Sequence, residues 1–327
     1  MRVSIEDGWV PARLLQINGR THVLAVKRPA RPLRAPFLEF DLDERGERAV
    51  LSLDKAMDRM AVADRAPAGL IFHMSRTGSS TAGVMLRATG QCEVLSEPIA
   101  LGNLFSRDDD GEEERLERQV RFLLSWLIEG LGGGRPVVLK APSWLALHLD
   151  RFRRWYPDVP CAFMYREAVE VVSALVEQAP FLFQRARMRA SADDGADGRA
   201  QWQRIVVSLR HRVDYRADYS YVEFVARFLG AICQPPAEAY ASGAPIVPVD
   251  YATFKAQLTD VLAPLFGLSL DDAARTRMAE AGRYNVKSMS RQVPFTGDSM
   301  IKQMKATPLM RDMAARHVQP WIDLLRA

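Results

Sequence analysis

The sequence predicts an α/β fold of three layers, α/β/α, with a mostly parallel central sheet and a small β-rich appendage at the N-terminus. Two observations support this prediction. From about residue 69 onward, short apolar runs of strand length alternate with longer segments of helical spacing. Such alternation favours right-handed βαβ crossovers and a sheet covered by helices on both faces. Residues 1–50 lack this pattern, so we predict two parts, an appendage at 1–50 and an α/β domain at 51–327.

The individual elements follow from apolar runs, spacing and breaking residues. We predict strands at 70–72, 93–96, 136–139 and 160–165. Helices are predicted at 84–88, ended by Gly90, at 116–131, ended by three glycines, and at 143–155, 167–178 and 308–325. A polar helix is predicted near 52–63. In the last helix, Pro320 is predicted to introduce a break.

The appendage begins with a hairpin signal. Asn18 and Gly19 lie between the apolar runs 14–17 and 21–26, and a type I′ turn needs positive φ at both central residues. Three prolines then interrupt the pattern, after which residues 37–42 alternate and predict another short strand. No feature of this part indicates a function.

Composition limits the class of protein. The chain is 48% hydrophobic and 26% charged, which is ordinary for a soluble globular protein. No stretch resembles a membrane span or a signal peptide. Three scattered cysteines have neither metal-site spacing nor that of a disulfide framework, and this favours a cytoplasmic location. The net charge of +4 permits an anionic ligand but does not indicate nucleic acid.

The segment after the first strand of the α/β domain has the composition of a phosphate-binding loop. Residues 75–81 contain five hydroxyls, one arginine and one glycine, and a helix follows. Gly78 allows a close turn, and the helix N-terminus adds about half a positive charge. Ser79, Ser80 and Thr81 can donate hydrogen bonds, and Arg76 can bind an oxyanion through two N–H groups. An ordinary capped turn between strand and helix is the alternative interpretation.

This loop does not match the P-loop of nucleotide hydrolases. That pattern places its first glycine where the chain has His73 and its lysine where the chain has Ser79. The run Arg76-Thr77-Gly78-Ser79-Ser80 instead resembles the 5′-phosphosulfate loop of sulfotransferases, which bind 3′-phosphoadenosine 5′-phosphosulfate (PAPS). The resemblance implies a P-loop-like fold with PAPS as sulfuryl donor and no metal, and binding of this donor by Arg76, Thr77, Gly78, Ser79, Ser80 and Thr81.

A second segment resembles the other sulfotransferase signature. In that family an arginine at a strand end and a serine on the next helix hold the 3′-phosphate, which implies roles for Arg166 and Ser173. The family's proline two residues after the arginine is Ala168 here. Its serine usually lies eight residues after the arginine, whereas Ser173 lies seven after. One residue is about a 100° rotation on a helix. An ion pair between Arg166 and Glu170 on the same helix is the alternative.

Candidate catalytic residues lie near the ends of the other strands. Sulfuryl transfer needs a base for the acceptor's proton and cations for the transferring oxygens. Ser96-Glu97-Pro98 resembles the family branches that use a glutamate as the base, although Glu97 could instead cap the segment after Pro98. His73 is the second candidate base. Arg76 and Lys140 are candidates for stabilising the developing charge, and Lys140 also suits acceptor binding.

The resemblance extends from about residue 69 to 267. Residues 138–142 and 155–158 look like conserved turns of the family, and residues 245–251 resemble its late strand. Residues 287–291 occupy the region of the family's basic loop over the 3′-phosphate, which makes Arg291 a candidate. Residues 179–243 correspond to the acceptor pocket, with an arginine cluster at 185–189 and a polar run at 191–198 that reads as a lid or loop.

The sequence therefore predicts sulfuryl transfer from PAPS to a hydroxyl or amine of a small-molecule acceptor. Two alternatives stay open. One is a phosphotransferase on the same architecture, and the other is a catalytically degenerate nucleotide-binding protein. The sequence predicts neither the acceptor nor the oligomeric state.

Overall fold

A computed structural model of the protein describes residues 3–105, 113–178, 219–287 and 293–327. Its strands are β1 (Trp9–Ile17), β2 (Arg20–Lys27), β3 (Arg48–Ser52), β4 (Gly69–His73), β5 (Glu93–Ser96), β6 (Val137–Lys140), β7 (Cys161–Tyr165) and β8 (Ile246–Asp250). Its α-helices are α1 (Leu53–Arg59), α2 (Ser79–Ala88), α3 (Ile99–Leu104), α4 (Glu113–Gly132), α5 (Leu149–Trp155), α6 (Ala168–Gln178), α7 (Tyr221–Ala241), α8 (Phe254–Gln257), α9 (Ala263–Leu265), α10 (Asp272–Ala281), α11 (Ser299–Lys305), α12 (Pro308–His317) and α13 (Gln319–Arg326). A π-helical segment, Leu258–Leu262, joins α8 to α9.

The central sheet has five parallel strands in the order β5-β6-β4-β7-β8, which confirms the predicted α/β class. The chain enters at the central strand β4, moves to the β5 edge, and then crosses to β7 and β8. The connections after β4 and β7 therefore leave in opposite directions. Between such strands a crevice opens at their carboxyl ends, where open α/β sheets bind ligands.

Side chains of the sheet alternate between two apolar layers. Leu70 and Phe72 of β4 pack into the layer formed by α3 to α7, α12 and α13. Ile71 of the same strand packs into the opposite layer, with α2, α10 and the segment from α8 to α9. Because every second residue points to the same face, the strands need apolar residues on both sides. This accounts for the continuous apolar runs in the sequence.

The N-terminal appendage is a three-stranded antiparallel sheet in the order β1-β2-β3. Asn18 and Gly19 both have positive φ, 51° and 71°, which confirms the predicted hairpin turn. The sheet packs against the α/β domain, since the Trp126 indole of α4 donates to the Trp9 carbonyl at 2.7 Å. The Leu14 N–H likewise donates to Asn103 Oδ1 of α3 at 3.1 Å.

Three local predictions differ from the structure. Residues 37–42 do not form a strand but contain a 3-10 turn, Leu38–Phe40. The Asp41 carboxylate accepts the N–H groups of Arg34 and Ala35, which closes this segment on itself. The helix predicted at 143–155 begins as a 3-10 segment, Ser143–His148, before α5. The predicted polar helix is shorter, ending at Arg59.

The predicted break in the last helix is present, because α12 ends at His317 and Pro320 lies in the first turn of α13. Arg291 and the segments 185–189 and 191–198 lie outside the described residues. None of the described helices combines the length and apolarity needed to cross a membrane.

Candidate functional site

The loop between β4 and α2 has the backbone of an anion-binding turn. Ser75, Arg76 and Gly78 all have left-handed φ angles, 73°, 54° and 75°. Two of these are not glycines, and such strained residues cluster at functional sites. A Cβ on Gly78 would lie 3.1 Å from ring carbons of Phe254, so this position needs glycine for space as well as for φ. The turn leads directly into the N-terminus of α2, where backbone N–H groups are free of intrahelical partners.

This loop forms one wall of a pocket of about 270 Å³. The loop residues that line it are Arg76, Thr77, Gly78, Ser79, Ser80 and Thr81, all of them predicted from the sequence. The opposite walls come from the end of β7, the residues after β8 and the chain before α11, namely Arg166, Tyr251, 285–287, 293–296 and Asp298. A predicted phosphate loop and a predicted second arginine thus meet at one pocket.

Arg166 lies at the pocket but is already neutralised by carboxylates. It is buried, and its Nε donates to Glu170 Oε2 at 2.6 Å. One terminal nitrogen donates to Asp298 Oδ1 at 2.6 Å, and the other donates to the Arg76 carbonyl at 3.2 Å. The guanidinium also lies 4.0 Å from the centroid of the Tyr251 ring. An anion that binds this guanidinium has to replace one of these acceptors, and Asp298 is the more exposed of its two carboxylate partners.

Ser173, the predicted partner of Arg166, is not among the residues that line the pocket. Its side chain is completely buried on α6, and its Oγ has no hydrogen-bond partner among the described residues. At seven residues after Arg166, the Ser173 hydroxyl is thus buried inside the domain and does not face the pocket.

Arg76 is the cation of the pocket whose guanidinium makes no hydrogen bond to the described part of the chain. Burial lowers its pKa, and the nearby Arg166 guanidinium acts in the same direction, whereas Asp298 opposes both. An arginine in this state is still charged, because its ordinary pKa is far above neutrality. An anion bound at the loop would therefore meet a guanidinium with unused donors.

Glu97 and Lys140 form an ion pair at the carboxyl ends of β5 and β6. The Lys140 side chain is completely buried, and its ammonium donates to Glu97 Oε1. The Glu97 N–H donates to the Lys140 carbonyl at 2.7 Å, and Glu97 has a left-handed φ of 53° although Pro98 follows it. A residue before proline normally adopts extended angles, so this conformation is strained. The N-cap of α3 is Pro98, and no side chain caps this helix by a hydrogen bond. Glu97 therefore does not cap α3.

The charge state of this pair follows from its surroundings. Burial raises the pKa of Glu97. The Lys140 ammonium and the neighbouring His73 ring have the larger, opposite effect, so the pKa of Glu97 lies well below its usual value. Burial also lowers the pKa of Lys140, opposed by Glu97. The carboxylate is ionised at neutral pH and is a weak base as long as Lys140 stays with it.

His73 lies beside Glu97, but its ring nitrogens are not placed to accept a proton. The Ser75 N–H donates to His73 Nδ1 at 3.1 Å, which assigns the ring proton to Nε2. Nε2 lies 3.5 Å from Glu97 Oε1, which is longer than an ordinary hydrogen bond. Its N–H and the carboxylate nevertheless attract each other electrostatically. Burial lowers the pKa of His73, so the ring is neutral. In this tautomer neither nitrogen of the ring is available as a base.

Lys287 lines the pocket of the 75–81 loop and also lies near the Glu97–Lys140 pair. The residue is largely exposed, but its ammonium lies 5.2 Å from the centroid of the Phe37 ring, which is also 5.4 Å from the Lys140 ammonium. Burial of this end, with the charges of Arg76 and Lys140, lowers the pKa of Lys287 to about 8. The sequence pointed to this basic region, but only through Arg291.

Sequence reasoning missed three other features of the site. Asp298 and Phe37 carry no local signal, because an isolated acid and a phenylalanine after a proline suit any surface segment. Tyr251, Phe254 and Phe295 form an aromatic cluster beside the loop, with ring centroids 5.9 to 6.4 Å apart. Asp250, the last residue of β8, lies outside the pocket lining; it accepts the Ala252 N–H at 2.8 Å and pairs with Arg326 at 3.1 Å.

Comparisons with known proteins add little to this geometry. No family model and no curated protein matches the chain. Among solved structures, the chain is similar to a sulfotransferase domain from the curacin biosynthetic pathway, at 10% sequence identity and a TM-score of 0.39. The similarity covers 77% of this chain and 98% of that domain. What the site does must therefore be argued from its own residues.

Proposed function

We propose that the protein transfers a sulfuryl group from PAPS to a hydroxyl or amine of a small-molecule acceptor. One observation carries the proposal: four neighbouring strands, β5, β6, β4 and β7, end at one edge of the sheet with complementary groups. They contribute, in that order, a carboxylate (Glu97), a buried ammonium (Lys140), an anion-binding loop (75–81) and a guanidinium (Arg166). A base beside an anion-binding pocket is the minimum that such a transfer requires.

The pocket fits the charged end of the donor. The N–H groups at the start of α2, the hydroxyls of Ser79 to Thr81 and the unused donors of Arg76 suit a phosphosulfate. Lys287 adds charge on the side that faces Glu97. Arg166 suits a 3′-phosphate once Asp298 leaves it, and the aromatic cluster around Tyr251 offers a surface for a base.

The residues of the chain divide the chemistry between them. The acceptor oxygen or nitrogen forms a bond to sulfur while the bond from sulfur to the 5′-phosphate oxygen breaks, and the acceptor's proton passes to Glu97. Arg76 and Lys287 stabilise negative charge on the transferring and leaving oxygens. Those oxygens also compete with Glu97 for the Lys140 ammonium. As Lys140 moves toward them, the pKa of Glu97 rises and its carboxylate becomes the stronger base.

A phosphotransferase is the alternative on the same architecture. The lysine of the P-loop pattern is replaced by Ser79, and Asp250 is held by Arg326 and the backbone of Ala252. No observation on the described residues favours this alternative over sulfuryl transfer.

The thermal stability of the protein with different nucleotides tests the proposal. We expect 3′,5′-adenosine bisphosphate without Mg²⁺ to raise the melting temperature. A ligand at a hundred times its dissociation constant contributes about 2.7 kcal/mol. ATP, with or without Mg²⁺, should produce a much smaller shift. Equal shifts for the two nucleotides, or a strict need for Mg²⁺, would contradict the proposal.

A further inference from the structure

A second, larger pocket lies at the opposite edge of the central sheet from the candidate site. Its volume is about 610 Å³, and its lining includes Glu93, the first residue of β5, and Arg135, two residues before β6. The wall from the N-terminal part of the chain is the segment 28–33, which follows β2. We call this the amino-edge pocket, because it lies at the amino ends of β5 and β6. It shares no lining residue with the pocket of the 75–81 loop.

The segment 28–33 carries two arginines on a stiff stretch of backbone. Arg28 and Arg31 each precede a proline, Pro29 or Pro32, which fixes its own φ and restricts the residue before it. The Arg28 N–H donates to the Gly8 carbonyl at 2.7 Å, which ties the start of the segment to the chain before β1. Both arginines line the pocket, and neither guanidinium has a hydrogen-bond or ion-pair partner within the described part of the chain. A wall that is stiff before binding loses little conformational entropy when a ligand binds.

The carboxylates of the amino-edge pocket do not neutralise these two guanidiniums. Glu93 is 3% exposed, and it lies 3.1 Å from a nitrogen of Arg135 and 3.7 Å from one of Arg87, so its charge is compensated from two sides. The other two carboxylates, Glu6 and Asp7, are exposed, and the surrounding water and salt screen their charge. In all, four cationic and three anionic side chains line the pocket, so an anion bound there meets net positive charge.

We propose that the amino-edge pocket binds an organic phosphate, namely a phosphate monoester with an apolar body. Such a group carries close to two negative charges at neutral pH, which matches the two unpaired guanidiniums of Arg28 and Arg31. The planar fork of arginine also fits phosphate oxygens through paired hydrogen bonds. Leu33 and Leu131 line the same pocket and offer apolar surface to the rest of the molecule, as in other small-molecule sites. This site is independent of the proposed function.

The experiment uses the full chain, with phenyl phosphate as the probe and calorimetry as the measurement. Benzenesulfonate, which has the same ring but a single negative charge, is the matched ligand and should bind more weakly. The affinity for phenyl phosphate should rise between about pH 5 and pH 7, because a phosphate monoester loses its second proton near about pH 6. Benzenesulfonate should show no such rise. Arg28→Ala and Arg31→Ala should each weaken phenyl phosphate binding by about tenfold or more, and Arg31→Lys, which keeps the charge without the fork, should lose less.

Arg20→Ala is the matched control, because Arg20 is exposed on β2 of the same small sheet and lines neither described pocket. It should leave the affinity for phenyl phosphate unchanged. Arg76→Ala tests the pocket of the 75–81 loop, and the binding that depends on Arg31 should persist in this variant. Wild-type affinity in Arg31→Ala, loss of all binding in Arg76→Ala, or no binding to the wild type would overturn the inference. If phenyl phosphate bound through Arg31 while 3′,5′-adenosine bisphosphate did not bind at all, the proposed function would fail and this site would stand.

Discussion

Single residues decide how charge is shared in this site. Lys140 is the only fully buried lysine of the described chain. Its ammonium forms an ion pair with the Glu97 carboxylate, which we propose as the base. Separating a buried ion pair leaves an uncompensated charge in the protein interior, which costs free energy. We therefore expect the pair to separate only when a ligand offers Lys140 another anion. In the same way Arg166 is held by Asp298, which a 3′-phosphate would have to replace in the proposed complex.

Glu97→Gln is expected to lower turnover by about 10²–10⁴, because Gln keeps the shape but accepts no proton. Bisphosphate affinity should stay close to that of the wild type, and this measurement also shows that the variant is folded. In the wild type, Lys140 and His73 hold the pKa of Glu97 well below its usual value, so the active, ionised form persists down to acid pH. We expect no loss of rate from this group until the pH falls below about 4, the ordinary range of glutamate. Near wild-type turnover in the variant would remove Glu97 from the mechanism.

Asp298→Asn is expected to tighten the binding of 3′,5′-adenosine bisphosphate. The substitution removes the carboxylate that competes with the ligand for Arg166, whereas the guanidinium keeps its buried partner Glu170. A charge-assisted hydrogen bond is worth about 1.5–3 kcal/mol, so the gain should approach or exceed tenfold. Adenosine 5′-phosphosulfate, which lacks the 3′-phosphate, serves as the control and should gain less. Equal gains for both nucleotides would mean that Arg166 does not bind the 3′-phosphate.

The pH dependence of binding is expected to report on Lys287. In the free protein its pKa is lowered to about 8, so the ammonium loses its proton as the pH rises through that value. Because only the charged form attracts an anion, bisphosphate affinity should fall above about pH 8. Lys287→Met should bind more weakly at pH 7 and lose this dependence. Calorimetry between pH 6.5 and 9.5 checks both, and an unchanged dependence in the variant would exclude Lys287 as its source.

Secondary-structure elements bring these residues together by ending at the same edge of the sheet. A parallel sheet aligns all its carboxyl ends, so the residues that follow β4, β5, β6 and β7 converge whatever their separation in the sequence. The loop after β4 then has only a few residues in which to reverse direction and begin α2. This accounts for the left-handed angles at Ser75, Arg76 and Gly78.

Gly78→Ala is expected to reduce both stability and nucleotide binding. Its φ of 75° costs a Cβ-bearing residue about 1–2 kcal/mol, and the new methyl would press on Phe254 at 3.1 Å. Gly90 is the matched control, since its φ is 74° and no atom lies within 4 Å of the Cβ position. Gly90→Ala should lose similar stability but keep its bisphosphate affinity. Equal effects of both substitutions on binding would argue against a phosphate role for the loop.

At the scale of the whole molecule, the small N-terminal sheet and the α/β domain share one apolar core. Trp9, Val10 and Val26 belong to the same cluster of buried side chains as Leu124 and Phe163. The contact is closest between β1 and α4, where a Cβ on Gly130 would lie 2.5 Å from Val10 Cγ1. This contact holds the small sheet against the α/β domain, so the stability of the whole protein depends on this interface.

Gly130→Ala is expected to destabilise the protein by about 1–3 kcal/mol through overpacking, against the usual gain from alanine in a helix. It should leave bisphosphate binding close to that of the wild type, because it displaces the appendage and not the loop. Gly83→Ala in α2 is the control, since its Cβ would make an ordinary 3.5 Å contact with Val94. Chemical denaturation and calorimetry measure both effects. A stabilised Gly130→Ala variant would show that the sheet does not depend on this contact.

The sequence by itself determined the α/β class, the bounds of most strands and the position of the candidate anion-binding loop. These features depend on local information, namely apolar periodicity, glycine positions and hydroxyl-rich turns. It also indicated Glu97, because Ser96-Glu97-Pro98 resembles the sulfotransferase branches with a glutamate base, and Lys140, at the end of an apolar strand run. It failed at 37–42, where alternation suggested a strand but the Asp41 side chain closes a turn.

Only the tertiary structure decided the roles of the charged groups. Arg166 meets Asp298 across 132 positions of the chain, and Phe37, in the connection between β2 and β3, meets Lys140 and Lys287. The tautomer of His73 depends on a single backbone N–H, and the pKa of Lys287 depends on the charges around it. Charge, burial and hydrogen bonding belong to neighbours in space, and neighbours far apart in the chain leave no pattern in a single sequence.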